Sequence, residues 1–262
     1  MTEPVRSSLS ITLSVWRALF LREALTRISG GRAKWFWVVA EPLAHMAFML
    51  FVMVVIRHRI VEGMDVYVWI LSGITAFFMF RRVANQGMDA IGANQTMFNY
   101  RQVRPVDTVF VRAALEAFLM LLIAVSTCLG LALIGRDVLP RNPLEVMQAL
   151  LGLWLLGVGF GLAASVAVEL IQEAKVFLKF ILMPLYLISG VIFPITMVPY
   201  PYREWLLFNP VLHGVEAVRA AFSDTYHALP ELDIGYMFSC ALCFIFLGLV
   251  LQIRFAEKLV AK

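Results

Sequence analysis

Residues 146–168 read Val-Met-Gln-Ala-Leu-Leu-Gly-Leu-Trp-Leu-Leu-Gly-Val-Gly-Phe-Gly-Leu-Ala-Ala-Ser-Val-Ala-Val, without a single charge. At 1.5 Å rise per residue, about 20 mostly apolar residues cross a hydrocarbon core of about 30 Å. This stretch is long enough and apolar enough to do so. Five others resemble it, at about 35–56, 66–90, 109–134, 177–198 and 236–253. The pattern predicts an all-α membrane protein with six transmembrane helices. Residues 35–262 form the transmembrane domain, and residues 1–34 precede it.

Composition agrees. Of 262 residues, 61% are hydrophobic and 15% charged. Soluble domains sit near 45–50% and about 25%. A soluble enzyme could not cover its surface from this supply, and disorder is excluded by the apolar and aromatic content. Three Cys do not suggest a disulfide scaffold. A net charge of +4 does not by itself point to nucleic acid, and none is expected as a partner. No cleavable signal peptide is expected, because Ser10, Ser14 and Arg17 interrupt the apolar residues ahead of the first span.

The position of the charge is more informative than its total. Six spans put both termini on one side, and 16 of the 22 Lys and Arg fall on that side. Both termini are therefore expected to be cytoplasmic. Within 1–34, Leu9, Leu13, Trp16, Phe20 and Ala24 recur every three or four residues, while Arg17, Arg22, Glu23 and Arg27 fall largely off that stripe. This reads as an amphipathic helix in the membrane interface, with a solvated leader as the alternative. Arg81 and Arg82 arrive early in the second span. Residues 83–92 keep a helical pattern, so the helix is expected to continue past them.

Pro194, Pro199, Pro201 and Pro210 punctuate the segment after the fifth span. The apolar run 205–208 between them is too short to cross, and 213–222 has an amphipathic helical pattern. Half-helices at membrane depth need shelter from lipid. The segment reads as a re-entrant hairpin between helices five and six, or else as a surface loop with an interfacial helix.

Few motifs carry chemistry. There is no GxxxxGK[ST] loop and no HExxH, and no catalytic residue is assigned. Cys240-Ala241-Leu242-Cys243 lies inside the sixth span and reads as packing. The histidines at 45, 58, 213 and 227 form no ligand cluster, so no metal is expected. Gly157 and Gly161 offer a small surface for close helix approach. Glu41 lies about 9 Å inside the first span, with Pro42 next and His45 one turn on. It is either a functional buried acid or the partner of an Arg from the first or second loop. Arg112 and Glu116 read as an i,i+4 pair. A membrane enzyme acting on lipid-linked sugars would need paired acids. Glu41 with His45 lacks a partner acid.

At the amino end, Leu19-Phe20-Leu21-Arg22-Glu23 with Thr26-Arg27, Trp37 and Glu41-Pro42-x-x-His45 resembles the opening of ABC-2 type export permeases. Closer still, Ile91-Gly92-Ala93-Asn94-Gln95-x-x-Phe98-Asn99-Tyr100-Arg101-x-Val103-x-Pro105-x-Asp107-Thr108 resembles the Gram-negative capsular polysaccharide export permease. Pro184-Leu185-Tyr186-x-Ile188-Ser189, Phe193-Pro194 and Asn209-Pro210-x-x-His213-x-x-Glu216 extend the likeness over nearly the whole chain. The 91–108 stretch argues against an ABC-2 permease for another cargo, such as O-antigen, teichoic acid or a small drug.

The resemblance implies an inner-membrane homodimer with two copies of a separate ATPase subunit. ATP and Mg belong to that partner, and this chain takes no cofactor. It implies a lipid-linked acidic capsular polysaccharide as cargo, with periplasmic and outer-membrane proteins continuing the path. Sugars stack on aromatic rings, so Trp37, Phe48, Phe51, Tyr186 and Phe193, with Glu41 and His45, are the expected channel residues. Acidic cargo favours Arg near the entrance, with Arg81, Arg82 and Arg104 as candidates. Residues 94–105 are polar but interrupted by Met97, Phe98 and Tyr100, as a transient docking segment would be. Asn94, Gln95, Phe98, Asn99, Tyr100, Arg101 and Arg104 are the expected ATPase contacts. Trp16, Phe20, Arg22, Glu23 and Arg27 belong to the interfacial helix.

Overall fold

The computed structural model describes residues 8–29, 34–56, 63–171 and 173–260. Arg6, Arg32, Arg57, Arg59 and Lys262, counted in the charge asymmetry, lie outside these residues, as does His58. The described chain is helical. In order it forms α1 (Ser8–Ser29), α2 (Lys34–Leu50, continued by a π-helical turn Phe51–Ile56), α3 (Val66–Met88), a 3-10 segment (Gly92–Asn99), α4 (Pro105–Leu133) and α5 (Pro143–Leu170). There follow α6 (Ala174–Ile188), a 3-10 turn (Ile195–Met197), α7 (Tyr202–Leu206), α8 (Pro210–Phe222), α9 (Ile234–Arg254) and α10 (Ala256–Val260).

Five of these helices are long and apolar enough to cross a membrane: Phe36–Val54, Val66–Met88, Pro105–Leu133, Pro143–Leu170 and Ile234–Arg254. The fifth expected span, 177–198, is shorter as a helix. α6 stops at Ile188, where Gly190 takes φ +71°. A glycine in that left-handed region ends a helix at no steric penalty. α3 runs to Met88, past Arg81 and Arg82.

The core is built on α5, which packs along α3 on one side and α9 on the other. Glycine makes this possible. A Cβ on Gly161 would lie 3.0 Å from the Gly87 Cα of α3, and one on Gly159 would lie 2.7 Å from the Ile245 nitrogen of α9. Such backbone contact replaces the hydrophobic drive that lipid cannot supply between helices. Trp69, Phe77, Met79, Leu153 and Leu162 fill the space around it. α8 is sunk into the same core, with Val211, Leu212, Val215 and Val218 buried against α3, α5 and α9.

α1 differs from its expected pattern. Leu9, Leu13, Leu21 and Leu25 are exposed, whereas Leu19 and Glu23 are buried. The side turned to the protein is the mixed one. Trp16 Nε1 donates to Asp107 Oδ1 at 2.8 Å, and Glu23 meets Arg112 at 2.9 Å. The buried charges of this helix are thereby paired within the protein.

Candidate functional site

α2, α3 and α6 bring the expected channel residues together on one loosely packed flank. Trp37, Glu41, Phe48 and Phe51 recur at helical spacing along α2, and all are exposed. His45 lies beside that row. Its Nε2 is 2.6 Å from the Tyr186 hydroxyl of α6. The ring also meets Phe78 of α3 at 5.4 Å between centroids. Arg81 lies over the Phe78 ring at 5.1 Å. Between α3 and α6 runs an open groove of about 840 Å³ lined by Arg81, Asn85, Lys179, Met183 and Tyr186. Phe193 is half-buried in the turn after α6.

Glu41 is 59% exposed at the side chain, 3.9 Å from both Arg81 and Arg82. Arg82 is more enclosed. Its Nε donates to Glu116 Oε2 at 2.9 Å and its Nη1 to the Val38 carbonyl at 3.1 Å. Glu116 is wholly buried and also accepts from Arg27 of α1, whose other guanidinium nitrogen reaches Gln86 Oε1 at 2.9 Å. The expected Arg112–Glu116 pair is not formed. Arg112 turns to Glu23 and to the Asp89 carbonyl, and Glu116 takes Arg27 and Arg82 instead. Three ion pairs thus join α1, α3 and α4, where a pair within one helix could not.

Of the remaining α1 candidates, Phe20 is half-buried in a pocket with Trp16, Phe110 and Trp154. Arg22 Nη1 is enclosed without a hydrogen-bond partner.

The 92–104 segment divides in two. Phe98 is buried with Ile91, Val166 and Leu259 of this chain, and the Asn94 amide donates to the Ala90 carbonyl at 2.9 Å. Phe98 is thus not the free docking anchor the sequence suggests. Its apolar neighbours, α10 included, already cover it. Asn99, Tyr100, Arg101 and Arg104 are exposed, with Tyr100 at 64%. Gln95 Nε2 reaches Glu169 at 3.4 Å. The backbone of Arg104 donates to Asp107 Oδ2 at 2.9 Å, which with Pro105 starts α4.

One cluster escaped the sequence reading. Arg219 of α8 is fully buried, its Nη1 2.7 Å from both the Gly190 carbonyl and Glu216 Oε1. It lies 4.0 Å over the Trp69 ring, and Nη2 reaches the Val191 carbonyl at 3.2 Å. Tyr226 donates to the other Glu216 oxygen at 2.7 Å. The available signal was an acid and a base three apart on a helix whose only other polar side chain is His213.

A family model described as ABC-2 type transporter matches residues 14–223. The chain belongs to that family. The polysialic acid transport protein KpsM of Escherichia coli is 33% identical over 246 residues, which is 94% of this chain and 95% of that protein. The capsule polysaccharide export inner-membrane protein CtrC of Neisseria meningitidis is 30% identical over 95% of this chain and 94% of its own. BexB of Haemophilus influenzae, with the same description, is 28% identical over 96% and 95%. This ABC-2 chain is therefore a membrane subunit of a transporter. Among its described residues, no three His, Cys, Asp or Glu side chains converge as a metal site would require.

Proposed function

We propose that this permease exports a lipid-linked acidic capsular polysaccharide across the bacterial inner membrane, driven by ATP hydrolysis with Mg on a separate ATPase subunit. The observation that carries the reading is the α2–α6 flank. A soluble-facing wall would not need Trp37, Phe48 and Phe51 in a row, and a lipid-facing wall would not place Glu41 and Arg81 beside them or Lys179 in the adjoining groove. Aromatic faces suit sugar rings and the cations suit acidic groups. A second copy of the chain would close this flank into a channel.

In this reading both termini are cytoplasmic, and α6 with the turn up to Phe193 makes the fifth of six crossings. α7 and α8 form the re-entrant hairpin, α8 being sheltered by α3, α5 and α9. Tyr100, Arg101 and Arg104 face the ATPase, and periplasmic and outer-membrane proteins receive the polymer. Deleting the gene in its native host tests the proposal. Capsular polymer should accumulate inside the cell. Absence of polymer synthesis would point to an enzyme instead.

A further inference from the structure

α4 and α5 touch near one end, where Trp154 Nε1 of α5 donates to the Ala113 carbonyl of α4 at 2.9 Å. Towards the end carrying residues 134–142 they part, leaving a cleft of about 440 Å³. Its mouth lies between the exposed Leu121, Val125 and Leu129 of α4 and Met147 of α5. Its back wall is buried, and includes Leu71 and Thr75 of α3, Leu150 of α5 and Val218 of α8.

Water is a poor occupant, because a buried water needs two to four polar partners. The Ser72 hydroxyl is already bonded to the Val68 and Trp69 carbonyls at 2.7 and 3.1 Å. That leaves Thr75 Oγ1, which is enclosed without a partner. One hydroxyl cannot hold water in an otherwise apolar cleft. An empty cleft would forfeit the dispersion contacts of its walls. The mouth is continuous with the exposed apolar surface that α4 presents through Phe118, Leu122 and Leu133, and α4 is one of the helices long enough to span a membrane. Hydrocarbon is what lies outside it.

The rim says what the chain hangs from. Beyond Leu139 and Pro140, Arg141 pairs with Asp137 at 3.5 Å, and Arg136 with Asp65 at 3.3 Å. All four are exposed, and Glu145 in the first turn of α5 adds a third acid. Two guanidinium groups among three carboxylates complement a headgroup carrying both a phosphate and an ammonium, and disfavour a purely anionic one. We propose that the cleft is a binding site for one acyl chain of a zwitterionic phospholipid, wedged between α4 and α5 and packed against α8.

The full chain in liposomes containing phosphatidylethanolamine with a photoactivatable diazirine in its acyl chain provides the test. After irradiation, adducts should concentrate on Leu121, Val125, Cys128 and Met147, several-fold above those on Phe246 of α9, which is comparably exposed. Ala124→Trp should fill the cleft and remove the α4 and α5 adducts while leaving Phe246 labelled. Ala132→Phe fills it from the mouth and gives a second reading where tryptophan disturbs α4. Unlabelled phosphatidylethanolamine should compete better than phosphatidylglycerol. Equal labelling of α4, α5 and α9, or labelling indifferent to both filling variants, overturns the site. Equal competition by the two lipids overturns the headgroup assignment.

Discussion

Glu116 shows what a single buried acid does in this chain. It pairs with Arg82 and Arg27 together, while Glu41, 3.9 Å from Arg82, and Glu23, 3.7 Å from Arg27, stand farther off. Removing one partner of a buried ion pair typically costs about 3–5 kcal/mol, because the other charge is left uncompensated. Glu116→Leu should therefore lower the thermal unfolding midpoint in detergent and the abundance in membranes. Glu116→Leu combined with Arg82→Met should recover part of that loss, and a double variant no better than the single would contradict the pairing. At Gly73 a Cβ would run into the Arg219 guanidinium. Gly73→Val should destabilise by about 1–3 kcal/mol through overpacking, and unfolding in denaturant measures it. Tyr226 adds a pH dependence. Burial first, and then the neighbouring Glu216 carboxylate, push its hydroxyl well above the usual tyrosine value of 10.0. The folded state thus holds this proton more tightly than the unfolded chain. The resulting stability is complete below about pH 10 and is lost as pH rises further. Tyr226→Phe should flatten the alkaline limb of stability against pH, and an unchanged limb would remove Tyr226 from the account. Residue-scale chemistry was partly legible. The sequence leaves Glu41 between two roles, and in the structure it pairs loosely with Arg81 and Arg82. The partners of Glu116 were not legible, since Arg27 lies 89 residues away and spacing reveals only partners on the same helix.

At the scale of elements, apolar length located five crossings, because lipid imposes a simple rule on backbone polar groups. α6 was harder. Its apolar residues run on to 198, and only Gly190 and Pro194 mark the break. Phe98 is ambiguous in sequence for a related reason. An aromatic in a polar stretch is a contact, but sequence does not say with which chain. Its burial against Leu259 and Val166 changes the expected outcome of mutation. Phe98→Ala should lose about 3–5 kcal/mol of stability, as large aromatic truncations in cores do. Tyr100→Ala and Arg101→Glu should leave unfolding unchanged and weaken co-purification of the ATPase. Pull-down from detergent-solubilised membranes separates the two classes. Normal ATPase recovery with both surface variants would remove this segment from the coupling role.

For the whole molecule, the charge asymmetry leads to an expected orientation that chemistry can check. In a chain freed of Cys128, Cys240 and Cys243, a single Cys at 203 should react with an impermeant maleimide in intact cells. One at 258 should react only after permeabilisation. The opposite pattern reverses the topology. The glycine contacts have a mechanical consequence. α5 meets α3 on one side and α9 on the other main chain to main chain, so it cannot slide past either without opening gaps along its length. α2 meets α6 through the His45–Tyr186 imidazole–phenol contact, and Phe77 of α3 meets the same Tyr186 ring edge on, contacts that separate by rotamer changes. A body assembled this way would work as a stator with two shutters, and its stroke would have few degrees of freedom. One pair of spin labels, on α5 and on α6, would follow the stroke from end to end.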